Sequence, residues 1–217
     1  VSTELPDFDA VYRGELPLGE EAPVPWNIGV PQPALSDVIE RGDIAGPVLD
    51  AGCGVGVTTR DLAARGYEVL GVDMSATAIA QAEAARDERH ASATFQLGDI
   101  TQLSGHDGHF GTIIDSTLFH SMPVESRAAY VSAIARAARE GARLYMLVFD
   151  KGAFPDGLGP HAVDAEELRA AVGEHWTIDS IEPSTIAGWL PPEISAQHPV
   201  DDAGRTRVPA HFLTAHR

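Results

Sequence analysis

The 217-residue chain carries 15 basic and 32 acidic side chains, a formal net charge of −17, and 44% apolar residues. That composition suits one globular domain with a full core, and the acidic field disfavours polyanionic partners such as nucleic acid. No apolar run reaches membrane-spanning length and no basic-then-apolar leader is visible; the one cysteine, Cys53, excludes internal disulfides and fits a reducing compartment, with the cytosol as default.

Residues 1–33 are rich in proline and carboxylates and read as an irregular arm or lid, with a short helix around Phe8 to Arg13. Pro25 and Gly29 stiffen and turn a loop that presents Trp26. Trp26 reads equally as a lid contact over a ligand and as an anchor pinning the arm to the core. Residues 34–217 form the main domain. A helix over Pro33 to Glu40 places Leu35, Val38 and Ile39 on one stripe. Val48 to Asp50 ends a buried strand, Gly52, Gly54 and Gly56 follow at alternate positions, and Thr58 to Arg65 reads as a helix. A strand that breaks into glycines before a helix brings bare backbone N–H groups close to a ligand. A dinucleotide fingerprint, G-x-G-x-x-G, needs its third glycine where Val57 stands, which disfavours a nicotinamide oxidoreductase. The pattern present is D-x-G-x-G-x-G, led by Asp50.

The next strand, Tyr67 to Asp73, ends in a carboxylate suited to a ribose diol. Ser75 caps a helix over Ala76 to Arg86. Thr94 to Leu97 is a third strand, ended by Gly98, Asp99 and Ile100, and a polar loop runs from Thr101 to His109. His106, Asp107 and His109 lack the companion ligands a metal site needs, so no metal is expected. Phe110 to Asp115 is a fourth strand, followed by the loop Ser116 to Pro123 and a helix over Val124 to Arg139. Gly141 to Phe149 is the fifth strand, with Asp150 at its tip. Phe154 to Pro160 forms a loop, Asp164 caps a helix over Glu166 to Val172, and the last strands are Thr177 to Pro183 and Arg207 to Ala215. The segment from Gly188 to Gly204, which contains Trp189, is long enough to be a lid or binding loop.

The acidic-led glycine run, with carboxylates at successive strand ends, resembles motif I and its partners in the class I S-adenosylmethionine-dependent methyltransferases. The resemblance implies an α/β, Rossmann-like fold with a seven-stranded, mostly parallel sheet, helices on both faces and one antiparallel strand near the edge. It also implies that Asp50, Gly52, Cys53 and Gly54 meet the methionine end of the cofactor. Asp73 and Met74 would then meet its ribose and adenine, and Gly98, Asp99 and Ile100 its adenine; Asp115 and Ser116 fall on the cofactor side. Cys53 is read as a packing residue, not a nucleophile. His120, in the loop after strand four, is the candidate general base, with a reference pKa of about 6.5. The alternative is a histidine that hydrogen-bonds a backbone carbonyl and holds the loop in shape. Phe119 and Met122 flank it and could contact a flat substrate; Tyr12, Trp26 and Trp189 are further substrate candidates, and Trp26 is also a candidate contact on the methionine side of the cofactor. Asp9, Tyr12 and Asp150 are weaker candidates for orienting His120.

The run Asp115-Ser-Thr-Leu-Phe-His-Ser-Met-Pro-Val-Glu-Ser-Arg127, with Phe8…Tyr12-Arg-Gly-Glu15, Pro25-Trp-Asn-Ile-Gly29 and Leu147-Val-Phe-Asp150, is similar to the mycobacterial heterocyclic toxin methyltransferases. That narrower resemblance implies O- or N-methylation of a small hydroxyquinolone- or quinone-like aromatic. The Trp-containing arm is also similar to thiol, halide and thiopurine methyltransferases, so a small thiol is the alternative acceptor. A non-catalytic binder of the cofactor or of an aromatic ligand is the alternative outside enzymes.

Overall fold

The computed structural model describes residues 7–15, 23–154 and 159–217; the remainder of the expected arm and of the Phe154 to Pro160 loop lies outside them. Seven strands form one sheet in the order β3-β2-β1-β4-β5-β7-β6. These are β1 (Val48–Ala51), β2 (Val69–Asp73), β3 (Ala93–Leu97), β4 (Phe110–Ser116), β5 (Ala138–Phe149), β6 (Thr177–Gly188) and β7 (Thr206–His216). The first five are parallel, and β7 runs antiparallel to both β5 and β6. The strand order reverses direction between β1 and β4, which opens a crevice above their carboxyl ends.

The helices are α1 (Phe8–Tyr12), α2 (Pro33–Arg41), α3 (Val57–Ala64), α4 (Ala76–Ala84), α5 (Arg127–Ala137), α6 (Ala165–Val172) and α7 (Pro192–Ser195). Leu35, Val38 and Ile39 of α2 and Leu62 of α3 pack on one sheet face with Val48, Val69, Ile114 and Tyr145. Tyr130, Val131 and Ile134 of α5 and Leu168 of α6 cover the other with Leu49, Ile113, Leu144, Met146 and Leu213. Burial on both faces accounts for the near-continuous apolar runs of β4 and β5.

Three expected boundaries shift. The helix expected over Val124 to Arg139 is a 3-10 turn at Val124–Ser126 followed by α5, and β5 already begins at Ala138 because that residue pairs with Phe110 across a bulge. Strand β6 continues through Pro183 to Gly188, which a proline tolerates on an edge strand. The long connection therefore starts at Trp189 and contains the short α7.

The β6 edge is partly closed by a side chain. Gln32, just before α2, accepts from Ala187 N–H at 2.9 Å and donates to Ala187 C=O at 2.9 Å, and Gln32 is buried. This double bond imitates a neighbouring strand and ties the arm to the sheet. Gln32→Ala strands two backbone groups, and urea unfolding is expected to show a loss of about 1–3 kcal/mol; an unchanged midpoint would remove Gln32 from the account.

Candidate active site

The side chains singled out at the strand tips lie on the carboxyl edge of β1 to β5, and after β2, β3, β4 and β5 a carboxylate captures loop N–H groups. Asp73 takes Gly54 N–H at 2.8 Å through one oxygen and Ser75 N–H at 2.9 Å through the other, which clamps the glycine loop to the end of β2. Burial raises its pKa, partly offset by those backbone bonds. Gly52 and Gly54 have positive φ, and a Cβ at Gly54 would sit 2.6 Å from the Tyr12 hydroxyl, so glycine is required by both conformation and approach.

Asp50 and Asp115 lie beneath this surface. Asp50 accepts the Thr59 hydroxyl at 2.6 Å, and burial pushes it up to about 6. Asp115 accepts Leu118 N–H at 2.8 Å, Phe119 N–H at 3.3 Å and the Tyr130 hydroxyl at 2.8 Å; burial still pushes it up to about 7. Both carboxylates are buried, and the hydrogen bonds they make go to Thr59, to Tyr130 and to the loop after β4. Ser116 is half-buried at the end of β4, and Thr117 after it has φ 78°, a left-handed conformation uncommon for threonine. Nothing in the sequence around Thr117 announced that geometry.

Just beyond the end of β2, Met74 is 72% exposed, which leaves its side chain available for contact. Gly98 donates its N–H to Asp73 C=O at 2.9 Å, the exposed Asp99 carboxylate accepts Thr101 N–H at 2.9 Å, and Ile100 is buried. The Cys53 thiol is pushed well above its usual range by burial, as a packing residue would be. Among the described residues no three potential metal-ligating groups converge; the rings of His106 and His109 lie beside Phe110 instead.

His120 is 1% exposed, and its Nδ1 accepts the N–H of Phe149 at 3.0 Å. That N–H lies on the β4 side of β5 beyond the last pairing of the two strands, Ser116 with Leu147, so the imidazole stands in for a strand. With Nδ1 occupied as acceptor, the neutral ring carries its proton on Nε2. Burial and the nearby Arg127 charge lower its pKa to about 3. This arrangement favours a hydrogen-bond donor over the general base read from the sequence. Two neighbours also depart from expectation. Phe119 and Met122 do not flank an open slot but are buried in the main core, Phe119 against Tyr130 and beneath the Arg127 guanidinium at 4.7 Å. Asp150 does not orient His120; its carboxylate lies 2.7 Å from His211 Nε2, off the line of a good hydrogen bond.

The arm crosses the glycine loop. Asp9, expected near His120, instead accepts the Ser75 hydroxyl at 2.6 Å and Thr77 N–H at 2.9 Å at the start of α4, which hold its pKa down to about 2. Tyr12 accepts the Trp26 indole N–H at 3.0 Å through its hydroxyl and receives Gln81 at its carbonyl. Trp26 thus joins two parts of the arm, packing edge-on against Phe8 and Tyr12. Trp189 is tied to the arm: it donates its backbone N–H to Pro25 C=O and its indole N–H to Asn27 C=O.

A methyltransferase-domain profile matches residues 48–141, the segment from the glycine loop through α5. A 2-heptyl-1-hydroxyquinolin-4(1H)-one methyltransferase of Mycobacteroides abscessus is 50% identical over 181 residues, which span 82% of this chain and 80% of that protein. The chain belongs to the class I S-adenosylmethionine-dependent methyltransferases. A solved structure reported under the conversion of a disulfide bond into a thioacetal group during echinomycin biosynthesis is 36% identical with TM-score 0.82, covering 97% of this chain and 90% of its own. The magnesium protoporphyrin IX methyltransferase of Synechocystis with bound S-adenosylmethionine shares the fold, at 23% identity, TM-score 0.60 and coverage of 85% and 76%. The methyltransferase's glycine cradle, strand-tip carboxylates and exposed Met74 suit that cationic nucleoside.

The buried Asp115 yields a pH test. Its folded pKa near 7 exceeds the reference of about 3.9, so the unfolded chain releases the proton first. Its contribution to stability is therefore intact below about pH 4 and erodes as pH rises through about 7. Asp115→Asn removes that titration, and the variant should gain on the wild type by about 1–3 kcal/mol between pH 4.5 and 7.5 in urea unfolding; a pH-independent difference would contradict the assigned burial effect.

Proposed function

We propose that this methyltransferase acts on an oxygen or nitrogen of a small planar heteroaromatic of the hydroxyquinolone or quinone kind, and that it does so in the cytosol as a means of neutralising such toxins. The observation that carries the reading is the 50% identity, along 82% of the chain, to an enzyme named for a hydroxyquinolone. The net charge of −17 supports a cationic cofactor and disfavours nucleic acid as acceptor.

In this reading the loop Asp50 to Gly54 holds the methionine end of S-adenosylmethionine, with Ser116 beside it. Asp73 and Met74 hold the ribose and adenine, and Gly98 to Ile100 close the adenine side. When bound, the cofactor supplies an electrophilic methyl group on a sulfonium. The chain's own work is alignment and exclusion of water. The arm over residues 1–33 serves as the lid, with Tyr12, Trp26 and Trp189 forming the wall above the acceptor. His120 donates Nε2–H to the acceptor oxygen and holds it in line, supported by the Phe149 N–H at its other nitrogen.

A mass-spectrometric screen for the gain of one methyl group across hydroxyquinolones, quinones, phenols and thiols tests the substrate class; turnover confined to thiols would overturn it. Asp73→Ala should weaken cofactor binding by about 1.5–3 kcal/mol in isothermal titration, and an unchanged dissociation constant would cancel the ribose assignment. For His120, the donor role predicts that the acid limb of the pH–rate profile follows the pKa of each acceptor tried. His120→Phe should lower kcat by about 10²-fold. A limb fixed near pH 6.5 for every acceptor would restore the base.

A further inference from the structure

Arg127 opens α5 directly after the His120 loop, and its charge is poorly answered. Its guanidinium donates to His161 C=O at 2.5 Å and lies over the Phe119 ring, yet its Nε is buried without a partner. Among the described residues no carboxylate lies within 4.0 Å of it, although the chain holds 32 acidic side chains. Glu167 acts on it only at longer range, and burial lowers its pKa. A half-buried guanidinium without a carboxylate costs folding energy, and a nearby acidic residue would be an easy remedy in so acidic a chain. The guanidinium lies over the ring of Phe119, the residue next to His120, the proposed donor. A cation and a neutral donor, with no carboxylate within 4.0 Å of the cation among the described residues, would suit one negatively charged oxygen.

We propose that Arg127 is the specificity-determining residue that selects acceptors already ionised at the reacting oxygen, so that the substrate class is acidic hydroxy-heteroaromatics rather than ordinary phenols. This inference rests on the methyl-transfer reading of the same site. The acceptor arrives as an oxyanion, having lost its proton to solvent, which removes the need for a protein base and agrees with the tautomer of His120. Methylation cancels the charge on that oxygen, so the product loses its pairing with Arg127 and leaves more readily than the substrate. Pairing with a guanidinium also lowers the oxyanion's nucleophilicity, so the benefit falls on binding and the loss in a variant should appear mainly in KM.

The test uses the full chain loaded with S-adenosylhomocysteine, and measures binding of two probes by isothermal titration. One is 2-heptyl-1-hydroxyquinolin-4(1H)-one above the pKa of its hydroxyl; the other is the same ring lacking that hydroxyl, which stays neutral. Arg127→Gln is expected to weaken the ionised probe by roughly 30-fold or more, the effect of truncating one partner of a buried charge pair, and the neutral probe by less than about 3-fold. Arg127→Lys keeps the charge without the planar fork and should fall between, and it serves alone if the glutamine variant does not fold. Equal losses for the two probes, no loss for the ionised one, or failure of the wild type to bind it would overturn the proposal. A wild type that binds the ionised probe selectively through Arg127 yet transfers no methyl group to it would overturn the methyl-transfer reading and leave the charge receptor standing.

Discussion

Backbone N–H groups at the ends of parallel strands have no neighbour to bond, and the acceptors planted there decide how each loop departs. In this methyltransferase that constraint is met by side chains: Asp73 takes Gly54 and Ser75, Asp115 takes Leu118 and Phe119, and the ring of His120 takes Phe149. The crevice above the sheet has its shape because these captures leave the loops few alternatives.

The same captures set the electrostatics. Asp50, Asp73 and Asp115 all have raised pKa values, chiefly because they are buried; the Asp73 charge raises Asp50 further, and the Asp50 charge raises Asp115. A cluster of this kind releases its protons less readily than surface carboxylates do, and a cationic ligand close by would favour its ionised form. On the far side of the His120 loop the sign changes. Arg127 brings positive charge to a place with no close carboxylate among the described residues. In the proposed reading the acidic cluster would suit the sulfonium nucleoside and Arg127 would suit an acceptor oxygen.

The arm binds itself to this framework at points far apart in the chain. Asp9 reaches the start of α4, Tyr12 meets Gly54, Gln32 pairs with Ala187, and Trp189 ties the β6–β7 connection back to Pro25 and Asn27. The glycine loop, the arm and the edge of the sheet are thereby coupled, so displacement of the arm would disturb both Gly54 and the edge strand. Such coupling suits a lid whose position must register with the cofactor loop.

From the sequence alone came the alternation of strands and helices, the glycine spacing, the carboxylates that end β1 to β4, and the caps at Ser75 and Asp164. These are local: periodicity, conformational permission and short-range hydrogen bonding suffice to write them. The tertiary structure alone decided which of the strand-end carboxylates are buried braces, that Asp9 belongs to α4, that Asp150 meets His211, and which nitrogen of His120 is free to donate. Those outcomes depend on partners tens of residues away, such as Thr77 for Asp9 and Phe149 for His120. A linear pattern can display a side chain's chemistry, but its protonation and its partner are set only when distant strands bring their unpaired backbone groups and their low-dielectric surroundings to it.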